Sequence, residues 1–322
     1  MTTLLFSSVL AEPLSKFLQY KRALNRKYHS EAAALRLFDG YLREHNIKDK
    51  DSVDSNLVEG FLKSRPRTTA GSYNHLASFI RRFFAWAVVQ KLTKSNPVII
   101  VRRRDTGKRI PYLFNLRDAK RLLDIARTFP DNSHTRNRAL VYETIFALLY
   151  GLGLRVGEVT RLKLSDVDLT RNTLFVRETK FGKSRIVPFG PKLGERLRCY
   201  LQKCHSESHG PEVPLFSLTK RGCICEATIS GTFHALVPRL GLHIPPGVAR
   251  PRLHDLRHSF AVATLLRWYR EGIDPNCRLM HLATFLGHCD PSSTAVYLTI
   301  TEELLHEASE RFRLMVPRVG GQ

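Results

Sequence analysis

Residues 252–300, RLHDLRHSFAVATLLRWYREGIDPNCRLMHLATFLGHCDPSSTAVYLTI, carry the reading on which the rest of the chain turns. The segment opens with His254, Arg257 and His258 in HDLRH and runs on to His288 in LGHCD. It closes on Tyr297, nine positions beyond that histidine. Two apolar-periodic helices lie in between. Histidines and an arginine ahead of two helices, then a tyrosine after a turn, make a poor recipe for plain packing. They fit a cage of donors around a phosphate with a hydroxyl nucleophile beside it.

Upstream, residues 115–204 supply partners for that cage. Asn115 can cap a helix whose apolar face holds Leu116, Ala119, Leu122, Leu123 and Ala126. Ala139 to Tyr150 is apolar nearly all round and reads as a central buried helix. Gly151 and Gly153 end it, and a further helix begins at Arg155 with Glu158 one turn on. An arginine fixed there presents a rigid guanidinium fork, which Glu158 can orient as an i,i+3 pair. Thr173–Arg177 and Arg185–Phe189 are strand-like runs joined by ETKFGKS, a hairpin with Lys180 and Lys183 near its tip. Gly182-Lys183-Ser184 is not a phosphate-binding loop of the Walker type, because Arg177 stands where its first glycine belongs. A helix returns over Pro191–Cys204. Residues 205–251 are rich in proline and read as loop, and Thr301 caps a last helix, TEELLHEASERFRL.

The first hundred residues read as helical. Leu14, Phe17 and Leu18 form one stripe, and Ser30 is the expected cap of a second helix with Leu35, Phe38, Tyr41 and Leu42. Ser72 is the expected cap of a third, with Leu76, Phe79, Ile80, Phe83 and Ala87. The polar face of that third helix carries His75, Arg81 and Arg82. Asn96-Pro97 breaks the pattern, and the run that follows holds Arg102, Arg103, Arg104, Lys108 and Arg109. It reads as a basic interdomain linker, giving two domains, 1–107 and 108–322. The fold class is mainly α with a small β-sheet.

Charge narrows the partner. The 322 residues contain 51 Lys+Arg against 29 Asp+Glu, a net of +22 spread along the whole chain. That favours a folded protein with a polyanion, double-stranded DNA above all, lying across it. Arg81, Arg82, Arg102, Arg103, Arg104, Lys183 and Arg185 are the expected backbone contacts. No apolar run approaches the ~18 residues of a membrane span. The N-terminus lacks the basic start of a signal peptide, so a cytoplasmic, nucleoid-associated protein is expected. Six cysteines at 199, 204, 223, 225, 277 and 289 lack zinc-finger spacing and read as reduced thiols. HDLRH is not a zinc helix, since Asp255 stands where that motif needs Glu. Neither metal nor cofactor is expected, and His258 reads as a packed helix histidine outside the site.

Taken in order, GLGLRVGEV, the TKFGKSRIVP hairpin, HDLRH, LGHCD and Tyr297 resemble the tyrosine recombinases, the phage integrase family, from about residue 113 to 315. The N-terminal helical part is similar only in general character to that family's core-binding domain. The resemblance implies that Arg155 and Arg257 bind the scissile phosphate and that Lys180 protonates the leaving oxygen. It makes His254 and His288 the two site histidines, Tyr297 the nucleophile and Glu158 the support of the first arginine. The hairpin departs from the family's G-K-G-x-K, with Phe181 for glycine, which leaves the lysine register between Lys180 and Lys183, Lys180 preferred. The family's chemistry is cleavage through a 3′-phosphotyrosine, rejoined by a 5′-hydroxyl from a partner duplex. Four protomers on two sites, a C-terminal helix (302–314) docked on a neighbour and accessory recombinases are further implications. The end of the chain looks more like transposon-borne members than cellular dimer-resolution enzymes, which suggests integration or transposition. Two other readings stay open, a type IB topoisomerase and a non-catalytic DNA-binding protein on the same scaffold.

Overall fold

The computed structural model describes residues 6–24, 26, 28–104, 109–133, 135–177, 183–205, 210–219, 222–288, 290, 292–299 and 306. The chain forms two compact units, Met1–Lys108 and Arg109–Gln322. Lys180, Thr301 and, except for His306, the expected docking helix over 302–314 lie outside the described residues.

The first unit is helical: α1 (Ala11–Ala23), α2 (His29–Glu44), α3 (Ser55–Ser64) and α4 (Ala70–Val89). Its core is aromatic. Phe17 meets Phe83 edge-on at 5.6 Å and Phe38 meets Phe61 at 5.0 Å, geometries that add to the area the rings bury. Two expected caps shift. Helix α4 is capped by Thr69, whose hydroxyl accepts from the Ser72 amide. Helix α2 starts before Ser30, after Tyr28 in a left-handed conformation. The α3 helix, capped by Asp54, was not legible, because Val58, Phe61 and Leu62 are too few to set a period.

The second unit begins with α5 (Leu116–Arg127), capped by Asn115 accepting from the Asp118 amide at 2.8 Å. Helix α6 (Arg138–Gly151) runs through the core as its composition demands, with Tyr142, Ile145, Phe146 and Leu149 all buried. A short α7 (Val156–Thr160) leads to an antiparallel three-stranded sheet in the order β1 (Val167–Asp168), β2 (Thr173–Val176), β3 (Arg185–Pro188). Strands β2 and β3 pair from Thr173 with Pro188 to Val176 with Arg185. Helix α8 (Pro191–Cys204) follows. The stretch read as loop holds a helix with one buried face instead, α9 (Glu226–Leu236), whose Ile229, Phe233 and Leu236 pack into the core with α6. Its polar Thr, Ser, Gly and His positions had masked the period.

Helices α10 (Asp255–Arg270) and α11 (Pro275–Leu286) are the two in the opening segment. A short α12 (Ser292–Ala295) and a 3₁₀ turn (Val296–Thr299) follow them. Ser259 pins α10: its hydroxyl donates to the Asp255 carbonyl and accepts from the Phe114 amide, both at 2.7 Å. Ala261, Val262 and Leu265 of α10, Leu282 and Leu286 of α11 and Tyr297 make a second small core.

Candidate active site

The site is assembled around the C-terminal end of α11. Gly287 ends that helix at φ +70, and the carbonyls of Leu286 and Gly287 point out of its last turn. A helix C-terminus carries partial negative charge on such unpaired carbonyls and draws cations. Arg155, the residue before α7, donates from Nη2 to the Gly287 carbonyl at 2.9 Å and from Nη1 to the Leu286 carbonyl at 3.4 Å. Arg257, in the first turn of α10, donates from Nη2 to the same Leu286 carbonyl at 2.8 Å. Its Nη1 donates to the Gly153 carbonyl at 2.6 Å. One main-chain oxygen therefore holds the two guanidinium groups side by side, although they lie about a hundred positions apart in the chain. A guanidinium has five N–H donors, so each fork retains donors for a ligand.

Gly153 matters twice here. Its φ is +59, and a Cβ would come within 2.6 Å of Phe260 and 2.9 Å of Leu286. Only glycine lets the turn after α6 bring its carbonyl against Arg257.

Arg257 is 1% exposed. Burial first, then the charge of Arg155, lowers its pKa to about 10, so it remains a cation at neutral pH. Glu158 organises the other arginine. It accepts from the Arg155 backbone amide at 3.0 Å and from Nη1 at 2.7 Å. It also takes a bidentate pair from Arg185 at 3.0 and 2.9 Å. Burial alone would push this carboxyl up, but the hydrogen bonds and charges of Arg185 and Arg155 outweigh it and bring the pKa down to about 2.

Tyr297, on the 3₁₀ turn, is 3% exposed. Burial raises its pKa against the opposing pull of Arg257 and Arg155, so the phenol is protonated at neutral pH. Its oxygen lies 3.1 Å from Nδ1 of His258. The His288 ring stacks beside the phenol with centroids 6.3 Å apart, and its Nδ1 is 2.6 Å from the hydroxyl of the buried Thr294. His254 sets its ring against that of His258 at 4.7 Å and 88°. All three histidines have pKa values lowered to about 4, by burial first and then by neighbouring cations, joined at His254 by the His258 ring. They are neutral at pH 7.

The structure thus brings Arg155, Glu158, His254, Arg257, His288 and Tyr297 together. Two residues join that set unannounced. His258, read as packing, is the hydrogen-bond partner of the tyrosine, a contact across 39 positions that only the fold reveals. Arg185, expected on a DNA backbone, is turned inward instead: its side chain is 9% exposed and donates to Glu158 and the Phe285 carbonyl. Arg81 is half-buried, and its guanidinium donates to the Val98 and Ile100 carbonyls. Arg82 is exposed but lies over the rings of Phe79 and Tyr28. Arg102, Arg103, Arg104 and Lys183 face solvent, with Arg103 stacked 3.6 Å over Tyr73. Among the described residues no group of three or more His, Cys, Asp or Glu could hold a metal ion. No described helix is long and apolar enough to cross a membrane.

Comparison with known proteins places this geometry in a family setting. Residues 114–303 match the phage integrase family. The chain is 32% identical over 310 residues to y4rB of Sinorhizobium fredii, named as an integrase/recombinase, covering 94% of this chain and 97% of that protein. It is 28% identical over 282 residues to the tyrosine recombinase XerC of Oceanobacillus iheyensis, covering 85% of each. Two solved structures share the fold. The Tn1549 transposon integrase, in complex with a circular intermediate DNA, superposes with a TM-score of 0.65 at 16% identity, over 95% of this chain and all of that one. A lambda integrase dimer bound to a core site gives 0.61 at 19% identity, over 88% and 96%.

Proposed function

The chain belongs to the phage integrase family, the tyrosine recombinases, and from that premise we propose that it cuts and rejoins double-stranded DNA at specific sites through a covalent phosphotyrosine. One observation carries the reading. The guanidinium groups of Arg155 and Arg257 share the Leu286 carbonyl, and the ring of Tyr297 packs in the same small core as Leu286. Two charged forks can bind the non-bridging oxygens of a phosphodiester and the extra charge that develops as it becomes pentavalent. The tyrosine hydroxyl attacks the phosphorus, leaving a 3′-phosphotyrosine and a 5′-hydroxyl. A 5′-hydroxyl from a partner duplex reverses the step, so the bond energy is conserved in the protein link.

In this scheme His254 and His288 are the two site histidines, and Lys180 protonates the leaving oxygen. The first unit grips the duplex from its basic face, with Arg82, Arg102, Arg103 and Arg104 as backbone contacts, and Lys183 of the second unit adds another. Four protomers on two sites, with the C-terminal segment docked on a neighbour, fit a reaction that exchanges strands between duplexes. Accessory recombinases can join that assembly. The biological setting is integration or transposition of a mobile element, by a cytoplasmic, nucleoid-associated protein. The likeness to a transposon integrase supports that setting.

The test is a suicide substrate, a nicked duplex carrying candidate sites from DNA flanking the gene, incubated with the protein in EDTA. A protease-sensitive, slow-migrating adduct on a denaturing gel is expected. Tyr297→Phe removes the nucleophile, so it should abolish the adduct while duplex binding persists. An adduct that survives in Tyr297→Phe sinks the assignment.

A further inference from the structure

The recombinase reading leaves one step without an owner, the loss of the phenolic proton, and the inference below rests on that reading. Two histidine rings, His258 and His288, lie against Tyr297, and a third, His254, packs on His258. Nδ1 of His288 is engaged with Thr294 and the ring lies parallel to the phenol at an 18° tilt. His254 is one ring further out, edge-on against His258. His258 has its Nδ1 on the phenolic oxygen at 3.1 Å. With the ring proton on Nε2, Nδ1 accepts the tyrosine O–H. The ring is also held in place: it is half-buried on α10, one residue past Arg257, with the His254 ring on one side and Tyr297 on the other.

We propose that His258, outside the expected set of site residues, takes the proton of Tyr297 as its oxygen attacks the scissile phosphate. The Oη–H bond breaks and an Nδ1–H bond forms. The Oη–P bond forms as the bond from phosphorus to the 5′ oxygen breaks, and that oxygen takes its proton from a separate donor, the role given above to Lys180. Rejoining runs the same transfers backward, with the His258 imidazolium returning its proton to the phenol. In the free protein burial, then Arg252 and Arg257, keep the ring neutral, which is the form that accepts a proton. His254, Arg257, Tyr297 and His288 are the other titratable groups near it. A bound phosphodiester brings negative charge against Arg155 and Arg257 and offsets their effect on the ring, raising its basicity when substrate is in place.

The experiment uses the full chain, with His258→Ala and His258→Gln, on the suicide duplex. Each variant is measured with ordinary phosphate and with sulfur in place of the bridging 5′ oxygen, and with either tyrosine or a trifluorinated tyrosine at position 297. Both variants should bind duplex and unfold like the wild type, yet form adduct roughly 10²–10⁴-fold more slowly. Bridging sulfur, which departs without a proton, should not restore the rate. The fluorinated phenol, which ionises more readily, should close most of the gap. Three outcomes overturn the assignment: adduct at close to the wild-type rate in both variants, restoration by sulfur, or a deficit that the fluorinated phenol leaves unchanged. Absence of adduct from the wild type removes the recombinase reading itself, and is told apart by that.

Discussion

Glu158, 2% exposed, sits between two guanidinium groups, and its chemistry gives the acid limb of this protein's stability a shape that can be measured. Its folded pKa of about 2 lies below the ordinary 4.5. A lowered carboxylate pKa stabilises the fold fully above the unfolded value, and that contribution is lost as pH falls from 4.5 through 2. The difference is worth about 3 kcal/mol. Urea unfolding should show a steep loss in that window, and Glu158→Gln should remove it while costing about 3 kcal/mol at pH 7, because Arg155 and Arg185 lose their anion. A second loss, from pH 6.5 down to about 4, belongs to His254, His258 and His288, whose neutral forms the fold favours. It should persist in the glutamine variant; a single acid limb abolished by Glu158→Gln would contradict both assignments. At this scale residue type was a good guide where chemistry is unusual. Arg155, Arg257 and Tyr297 stood out by kind and spacing. Arg185 and His258 did not, since a surface arginine and a packed histidine are the commoner fates, and their partners lie 27 and 39 positions away.

Among the elements, the end of α11 is the most exposed to a small change. Gly287 takes φ +70, and a Cβ there would stand 2.6 Å from Nη1 of Arg185. Gly287→Ala should therefore cost about 1–2 kcal/mol in backbone strain. It should also push Arg185 off Glu158 and so loosen Arg155. The expected result is a lower unfolding midpoint together with slower adduct formation at unchanged duplex affinity; an alanine variant with wild-type cleavage would show that the Arg185 contact does not reach the site. Elements with strong periods or clear caps were legible in the sequence: α6 from its apolar run, α5 from Asn115, α8 and the β2–β3 hairpin nearly residue for residue. Those missed, α3 and α9, are short or carry polar residues on their solvent side, so tertiary burial rather than pattern defines them.

For the molecule as a whole, a net charge of +22 sets how binding responds to salt. Each phosphate contact contributes about −0.9 to the slope of log affinity against log salt. Arg102 and Arg104 are exposed in the basic run, so Arg102→Ala with Arg104→Ala should flatten that slope by about 2 and weaken all sequences alike. An unchanged slope would remove those two from the backbone contacts. Charge favours DNA as the partner and leaves the site unwritten, since base readout rests on a few groove-facing groups. The guanidinium forks of Arg155 and Arg257 are fastened to oxygens of the main chain, at Gly153, Leu286 and Gly287. Every residue type has such an oxygen, so descendants of this protein can respell most of α11 without disturbing the clamp. What they inherit strictly is a count. One residue gained or lost within α11 would swing its last carbonyls by about 100°, and lineages of this chain are free to drift in composition while held to length.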